Sequence, residues 1–502
     1  MDKKQASSII KDAFGSVFDK DKFIGFVGNL LNLNSADYLH RNIGIYDAYK
    51  QHVQSLEVIA KFSDGKNEID VLVVTLIKDT SLDKARTMQR NFVARYLIEK
   101  QGDAAIVAFT SPDAEDWRFS LIKMESSFKK TDTGIKVEEE FTPAKRWSFL
   151  VGKNENSHTA QSQLVGILAN DEVAPTLDEL EQAFSIETVT NEFFTKYTDL
   201  FLRMKEALDT LLENDPQLKA DFKEKDVDTV DFAKKTMGQM AFLYFLQKKG
   251  WFGVAPNKEW GTGVKNFLRE VFERREKYGE NFFDNVLEPL FYKALAIDRG
   301  DKNDIYPELN DCRMPFLNGG LFEPMNGYSW KTTHIRLPDE LFSNDTKTKE
   351  GDIGDGILDV FDRYNFTVNE SEPLEQEVAV DPEMLGKVFE NLLEIKDRKS
   401  KGAFYTPREI VHYMCQESLI NYLETETNSL IPKVDIELFI QQGSQIIQND
   451  KSIIEQGGDK GKLLLRQSVI DQAEELDDLL ANIKVCDPAV GSGAFPLGML
   501  NE

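Results

Sequence analysis

LEVIAKF (56–62) and EIDVLVVTLI (68–77) flank the turn segment Ser63-Asp64-Gly65-Lys66. Two β-rich runs on either side of a short Asp-Gly segment predict a hairpin of strands. Reading outward, SLDKARTMQRNFVARYLIEK (81–100) has helical spacing, and AAIVAFT (104–110), WRFSLIKM (117–124) and RWSFLVG (146–152) return to strand. Upstream, Ile9, Ile10, Phe14, Val17 and Phe18 recur near every 3.6 residues, so 1–55 reads as helical. Residues 1–155 are therefore expected to form a mixed α/β domain.

Helical periodicity then dominates, in 191–214 and in VDFAKKTMGQMAFLYFLQKKGWF (230–252), whose aromatic stripe reads as core packing. PFLNGGLFEP (315–324) and GDIGDGI (351–357) interrupt it as packed loops, with a tight turn at Asn318-Gly319-Gly320. Residues 175–380 are thus expected to form a helical domain and 381–502 a third unit, an α/β plus α chain overall. Within the third unit, 381–396 and 407–423 read as helices, 434–482 as polar helices and IKVCDPAV (483–490) as a short buried strand enclosing an inert Cys486.

Charge narrows the partners. With 60 Lys+Arg against 86 Asp+Glu the net charge is -26, which excludes a polybasic nucleic-acid binder of the simple kind. Residues 1–150 hold 22 of each sign, so 151–502 carries the whole deficit, 38 basic against 64 acidic. Three scattered cysteines and no paired Cys or His spacing exclude a disulfide framework and structural zinc. The longest strongly apolar run, Val71 to Ile77, is far too short to span a bilayer. A soluble, cytoplasmic protein without a membrane partner is expected.

The sharpest chemical signal follows the expected last strand: Asp487-Pro488-Ala489-Val490-Gly491-Ser492-Gly493-Ala494-Phe495. A strand leaving through a glycine turn into a helix lets backbone approach a ligand at the carboxyl edge of a sheet. An ordinary strand-to-helix turn would use the same residues. No Lys-Ser/Thr pair follows, so this is no P-loop, and Pro496 stands where a dinucleotide fingerprint wants a third glycine. An acid at the strand tip suits a ligand with a positive group or hydroxyls, such as S-adenosylmethionine.

Upstream, Gly402-Ala403-Phe404-Tyr405-Thr406-Pro407-Arg408-Glu409 offers Thr406 as helix N-cap, Pro407 at the first helical position and Glu409 closing a capping box. That accounts for the residues structurally. The same helix start could also receive a carboxylate.

Together, Gly402–Pro407 and Asp487–Phe495 resemble motifs X and I of adenine-specific, amino-group DNA methyltransferases in which motif X comes first. RTMQRNFVARYL (86–97), FLYFLQKKGW (242–251), FLNGGLF (316–322), FDRYNFTV (361–368) and LGKVFENLL (385–393) resemble type IIG restriction-modification enzymes. The resemblance implies a nuclease-like domain at 1–155, a helical connector at 175–380 and the start of a Rossmann-like methyltransferase domain at 381–502. It implies that Phe404, Tyr405, Thr406 and Pro407 lie against S-adenosylmethionine. Asp487, Pro488, Ala489, Gly491, Ser492, Gly493 and Phe495 would wrap its methionine and ribose portions. Residues 424–482 depart from the pattern as a polar insertion, and no Asn-Pro-Pro-Tyr/Phe tetrapeptide for transfer to adenine is present. The expectation is the N-terminal part of a longer enzyme acting on double-stranded DNA.

For the first domain the resemblance implies magnesium-dependent cleavage. Carboxylates would hold the metal while a lysine helps activate water. Asp70 is the candidate metal ligand, with Lys78 and Glu57 as catalytic partners and Gln89 and Tyr96 bordering them. Leu76 stands where a second acid is wanted, two residues before Lys78. Arg86, Arg90 and Arg95 read as a solvated helix face. The alternative is a defence methyltransferase whose first domain only binds DNA or protein.

Overall fold

A computed structural model describes residues 1–78, 82, 85–124, 129–131, 134–136, 144–300, 304–309, 311–317, 320–349, 351–368, 374–382, 406–455, 464–490 and 493–502. The expected helix at 381–396, the turn at Asn318-Gly319 and the candidates Phe404, Tyr405, Gly491 and Ser492 lie outside the described residues. The chain opens with α1 (Lys3–Phe14) and α2 (Lys20–Leu30), then β1 (Tyr38–Ile43), β2 (Val53–Ser63) and β3 (Glu68–Leu76). There follow α3 (Arg86–Lys100), β4 (Ala104–Thr110), β5 (Asp116–Met124), a small hairpin of β6 (Lys129–Thr131) and β7 (Gly134–Lys136), and β8 (Ala144–Gly152). Reading 1–55 as helical throughout is corrected at β1. Its exposed residues, Leu39, His40, Arg41 and Asn42, show no apolar alternation, and it is held as an edge strand by pairing with β2.

The sheet is seven-stranded and mixed, in the order β1-β2-β3-β4-β5-β8-β11, where β11 is Glu375–Glu377. The predicted hairpin is β2–β3, antiparallel, with Lys61 opposite Asp70. β4 lies parallel to β3 across the α3 crossover, and β5 and β8 continue antiparallel. Ile69, Val71 and Val73 face one apolar cluster, which α1 and α2 join through Phe14, Phe23 and Phe26; Leu72, Val74 and Leu76 face a second, closed by Phe92, Val93 and Tyr96 of α3. Period-two alternation sends neighbours to opposite faces, so both sides of this sheet are covered.

The helical part holds α4 (His158–Ala169), α5 (Leu177–Ala183), α6 (Ile186–Asn214), α7 (Pro216–Glu224), α8 (Thr229–Lys248) and α9 (Phe267–Glu273). Two π-helical turns follow at Phe283–Leu287 and Leu290–Leu295, then the two-residue strands β9 (Ile305–Tyr306) and β10 (Cys312–Arg313), and α10 (Ile357–Arg363). The first apolar cluster runs without a break from Ala6 to Val380, so the sheet and the helices share one core across the expected gap between 155 and 175. The last sheet strand, β11 (Glu375–Glu377), pairs parallel with β8.

A smaller cluster around Ile420, Leu423, Ile431 and Ile436 organises α11 (Arg408–Glu426), α12 (Lys433–Glu455), α13 (Gln467–Asp471) and α14 (Ala473–Asn482); α15 (Ala494–Asn501) ends the described chain. The expected strand at 483–490 does not form. Residues 483–490 carry no strand pairing, Val485 and Val490 are half exposed, and Cys486 is exposed rather than buried. An apolar run becomes a strand only where another strand takes up its backbone groups, and none does so among the described residues.

Candidate functional site

α11 begins one residue later than its sequence suggests. Pro407 is the N-cap (φ -56°, ψ 145°), and no side chain caps the helix, so Thr406 does not serve as its cap. The proline carbonyl itself accepts from the amides of Ile410 and Val411 at 3.0 and 3.1 Å. The ring fixes φ near the required value, so the helix starts without a hydroxyl partner.

The second segment is brought onto the same helix. Cys415 Sγ, buried, donates to the Phe495 carbonyl at 3.7 Å, and His412 meets Glu502. A Cβ built on Gly498 would lie 2.7 Å from Val411 Cγ1, so glycine permits this close approach. These pairs run in opposite senses, which makes α11 and α15 antiparallel. The start of α15 therefore lies beside the second turn of α11, about 12 Å along the axis from Pro407. Among the described residues no hydrogen bond or ion pair joins Thr406–Pro407 directly to 487–493.

Asp487 folds its own turn. Its Oδ1 accepts from the Ala489 amide at 2.9 Å, while Oδ2 is shielded from solvent and has no partner among the described residues. Pro488 and Ala489 are exposed within that turn. Gly493 closes it at φ +83°, with open space where a Cβ would stand, and α15 follows with Phe495 in its first turn. A carboxylate oxygen without a partner beside an open glycine turn can accept from an ammonium or a hydroxyl.

The nuclease candidates do not converge. Asp70, 3% exposed, accepts from Tyr96 Oη at 2.6 Å and lies 3.4 Å from Lys61 Nζ. Burial and this carboxylate together push the Tyr96 hydroxyl well above its ordinary range. Glu57 lies opposite Val73, on the other face of the sheet, where Lys20 of α2 donates to both its oxygens at 2.7 Å. Lys78 is exposed at the far end of β3, eight residues or about 26 Å from Asp70. No single ion can be held by these three. Among the described residues no group of three His, Cys, Asp or Glu side chains could hold a metal. The donors present do not fit magnesium. Gln89 is buried and donates to the Leu82 carbonyl at 3.2 Å, so it borders the sheet core rather than a metal site.

A buried ionic network escaped the sequence reading. Arg118 and Arg146, in the middle of β5 and β8, and Arg90 of α3 are each at most 3% exposed, as are Glu375 and Glu377 of β11. Arg118 donates to Glu377 Oε2 at 3.0 Å and to the Leu82 carbonyl at 2.9 Å. Arg146 donates to the Arg86 carbonyl at 3.2 Å and pairs with Glu375 at 3.2 Å. Burial and neighbouring cations lower Arg146 to about 10, with Glu375 opposing. Arg90 thus belongs to the interior rather than to the solvated face expected of it. The available signal was two arginines inside otherwise apolar strands, which demand buried acids from elsewhere.

With this geometry in view, comparison with known proteins finds a relative in Methanocaldococcus jannaschii, named provisionally as a type II restriction enzyme and methyltransferase. It is 28% identical over 339 residues, covering 63% of this chain and 25% of the relative. The chain thus matches about a quarter of that protein's length. No family model and no solved structure matches. No helix among the described residues is long and apolar enough to cross a membrane.

Proposed function

We propose that this chain belongs to a type IIG restriction-modification enzyme that methylates the exocyclic amino group of adenine in double-stranded DNA with S-adenosylmethionine. The observation that carries the reading is the Asp487 oxygen without a partner among the described residues, in the turn that leads through Gly493 into α15, a helix packed against α11. When bound, S-adenosylmethionine supplies an electrophilic methyl group on sulfur. Asp487 would take its positively charged or hydroxyl groups, and the Gly493 turn would leave room for close backbone approach. Thr406 and Pro407 would border the pocket from the start of α11. The Methanocaldococcus relative supports both halves of the activity, since its name includes restriction as well as methylation.

Cleavage belongs to the proposal on that ground and on the sequence resemblance. The candidate residues for magnesium-dependent cleavage, Asp70, Glu57 and Lys78, do not meet in this structure. Plasmid cleavage by Asp70→Asn, assayed with magnesium, tests the assignment, and unchanged cleavage removes Asp70 from it. For the methyl donor, calorimetric titration of the chain with S-adenosylmethionine is compared with Asp487→Asn. A charge-assisted hydrogen bond contributes about 1.5–3 kcal/mol, so affinity should fall by roughly 10- to 150-fold. Equal affinity of the two proteins would refute the role given to Asp487.

A further inference from the structure

Two of the sequence segments left without a role above, FLYFLQKKGW and FDRYNFTV, converge on one cleft. It has a volume of about 730 Å³ and is closed by the tail of β8, the end of α8, the start of α9 and the segment after α10. Tyr244, Gln247 and Lys248 come from the first segment, and Phe361, Asp362 and Asn365 from the second. The aromatic floor is structural: Tyr244 Oη donates to Asp362 at 2.6 Å and Arg269 to the same carboxylate at 2.7 Å. The lip is different.

Three lysines, 153, 248 and 265, line this lip with Glu155, while the other lining carboxylate, Asp362, is held in the floor by Tyr244 and Arg269. Lys248 holds Glu155 at 2.5 Å, and Lys265 stands 3.7 Å from the same oxygen with 48% of its side chain exposed. Glu155 is satisfied by the first of these, so the second ammonium exceeds what the fold needs. Lys153 is 58% exposed and paired with Glu115, itself half exposed, an exchangeable surface contact. Asn266 also lines the cleft, as does Asn154, whose side-chain amide donates to Glu115 and Asp116 at 3.3 and 3.2 Å. Lysines interleaved with amides are the side chains that contact phosphate oxygens.

The cleft opens where β3, β4 and β8 end and β5 begins, since Thr75 pairs with Thr110 and Asp116 with Gly152. Exposed Lys78 lies on that same edge, three strand spacings or about 14 Å away. The β4–β5 turn between them carries Asp113, Glu115 and Asp116, so the cations bracket an acidic turn at two separate points, a spacing that an extended polyanion can bridge and one small ion cannot.

We propose that this lip contacts the backbone phosphates of duplex DNA, a local site within the otherwise acidic region 151–502. The inference rests on DNA being the partner proposed above. The test is fluorescence anisotropy of a labelled DNA duplex over a salt series, with the intact chain, Lys153→Gln/Lys265→Gln, a charge-keeping Lys153→Arg/Lys265→Arg and the remote control Lys3→Gln/Lys4→Gln. Each phosphate contact contributes about 0.9 to the salt slope, so the glutamine pair should lower it by about two and weaken binding at least about tenfold. The arginine pair and the control should keep the parent slope. If the parent binds DNA and the glutamine pair keeps its slope, the cleft assignment is overturned while DNA binding stands. If the parent binds no DNA, the proposed partner and this inference fall together. If inorganic phosphate, followed by calorimetry, binds the parent but not the glutamine pair while DNA slopes stay equal, the site takes a free anion and the DNA assignment is overturned.

Discussion

Replacing Glu377 by glutamine removes one charge from the interior and leaves Arg118 behind. Burial alone would raise this carboxyl, yet Arg118 at 3.0 Å, with Lys248 and Arg86, outweighs it and holds the group at about 2 against an ordinary 4.5. At about 1.36 kcal/mol per pKa unit, the difference corresponds to about 3 kcal/mol favouring the charged folded state. The sign follows from linkage. A depressed carboxyl contributes fully above its unfolded pKa, and the contribution is lost as pH falls from about 4.5 to about 2. Glu377→Gln should therefore lose about 3 kcal/mol at pH 7 and lose proportionately less against the parent as pH falls through that window. Urea unfolding followed by the fluorescence of Trp117 and Trp147, beside the network on β5 and β8, reads this directly. A loss under about 1 kcal/mol at pH 7, or an unchanged gap down to pH 2.5, would refute the reasoning. Replacing Arg118 and Glu377 together by apolar residues should cost much less than the single change, because no uncompensated charge remains.

Other substitutions test the core and the sheet. Glu288 is fully buried, bound by Tyr328 Oη at 2.5 Å, and burial raises its carboxyl well above the ordinary range. A raised carboxyl contributes stability below its unfolded pKa that is lost as pH rises through the folded one, so Glu288→Gln should melt no lower than the parent at pH 8. A melting point clearly below the parent's there would contradict this. Gly152 has φ +142°, and a Cβ would stand 2.4 Å from Asp116 Cα, so Gly152→Ala should cost at least about 2 kcal/mol, read by thermal unfolding. Tyr96→Phe leaves one oxygen of the buried Asp70 without its donor and should cost about 1.5–3 kcal/mol in the same measurement, whereas an unchanged stability would show that solvent reaches Asp70.

The strands most readable in the sequence are those whose side chains report burial. β3, β4 and β5 are dense in apolar or β-branched residues because both sheet faces are covered. β1 was missed because its burial runs from half-buried to exposed, and only the ladder to β2 defines it. β11, with the sequence Glu-Gln-Glu, argues against strand by propensity. It forms because Arg118 and Arg146 wait in the sheet for its carboxylates, a pairing across more than 200 residues that no local window contains. The reverse error occurred at 483–490, where an apolar run promised a strand that pairs with nothing described. For the candidate sites, the spacing of Asp70 and Lys78 concealed their separation at opposite ends of one strand. The turn at Asp487 is a local feature, an Asx turn followed by a left-handed glycine, but the strand expected to present Asp487 at its tip does not form among the described residues.

The ionic network also bears on how the two halves of the proposed enzyme are joined. Glu377 lies four residues before Asp381, which is 5% exposed and meets Arg408, the first residue of α11, at 3.6 Å. Residues 377–381 thus reach from the interior of the sheet to a side-chain contact with the first residue of α11. β11 is only three residues long, too short to be held by its ladder alone, so its position depends on the arginines that bind it. Those arginines also hold the Leu82 and Arg86 carbonyls at the approach to α3. One set of guanidinium groups therefore binds the Leu82 and Arg86 carbonyls and the β11 carboxylates, while apolar packing holds the same places through Leu82 in the second cluster and Val378 and Val380 in the first. Breaking one ion pair leaves these apolar anchors in place, so the loss for Glu377→Gln should stay close to its pairwise figure.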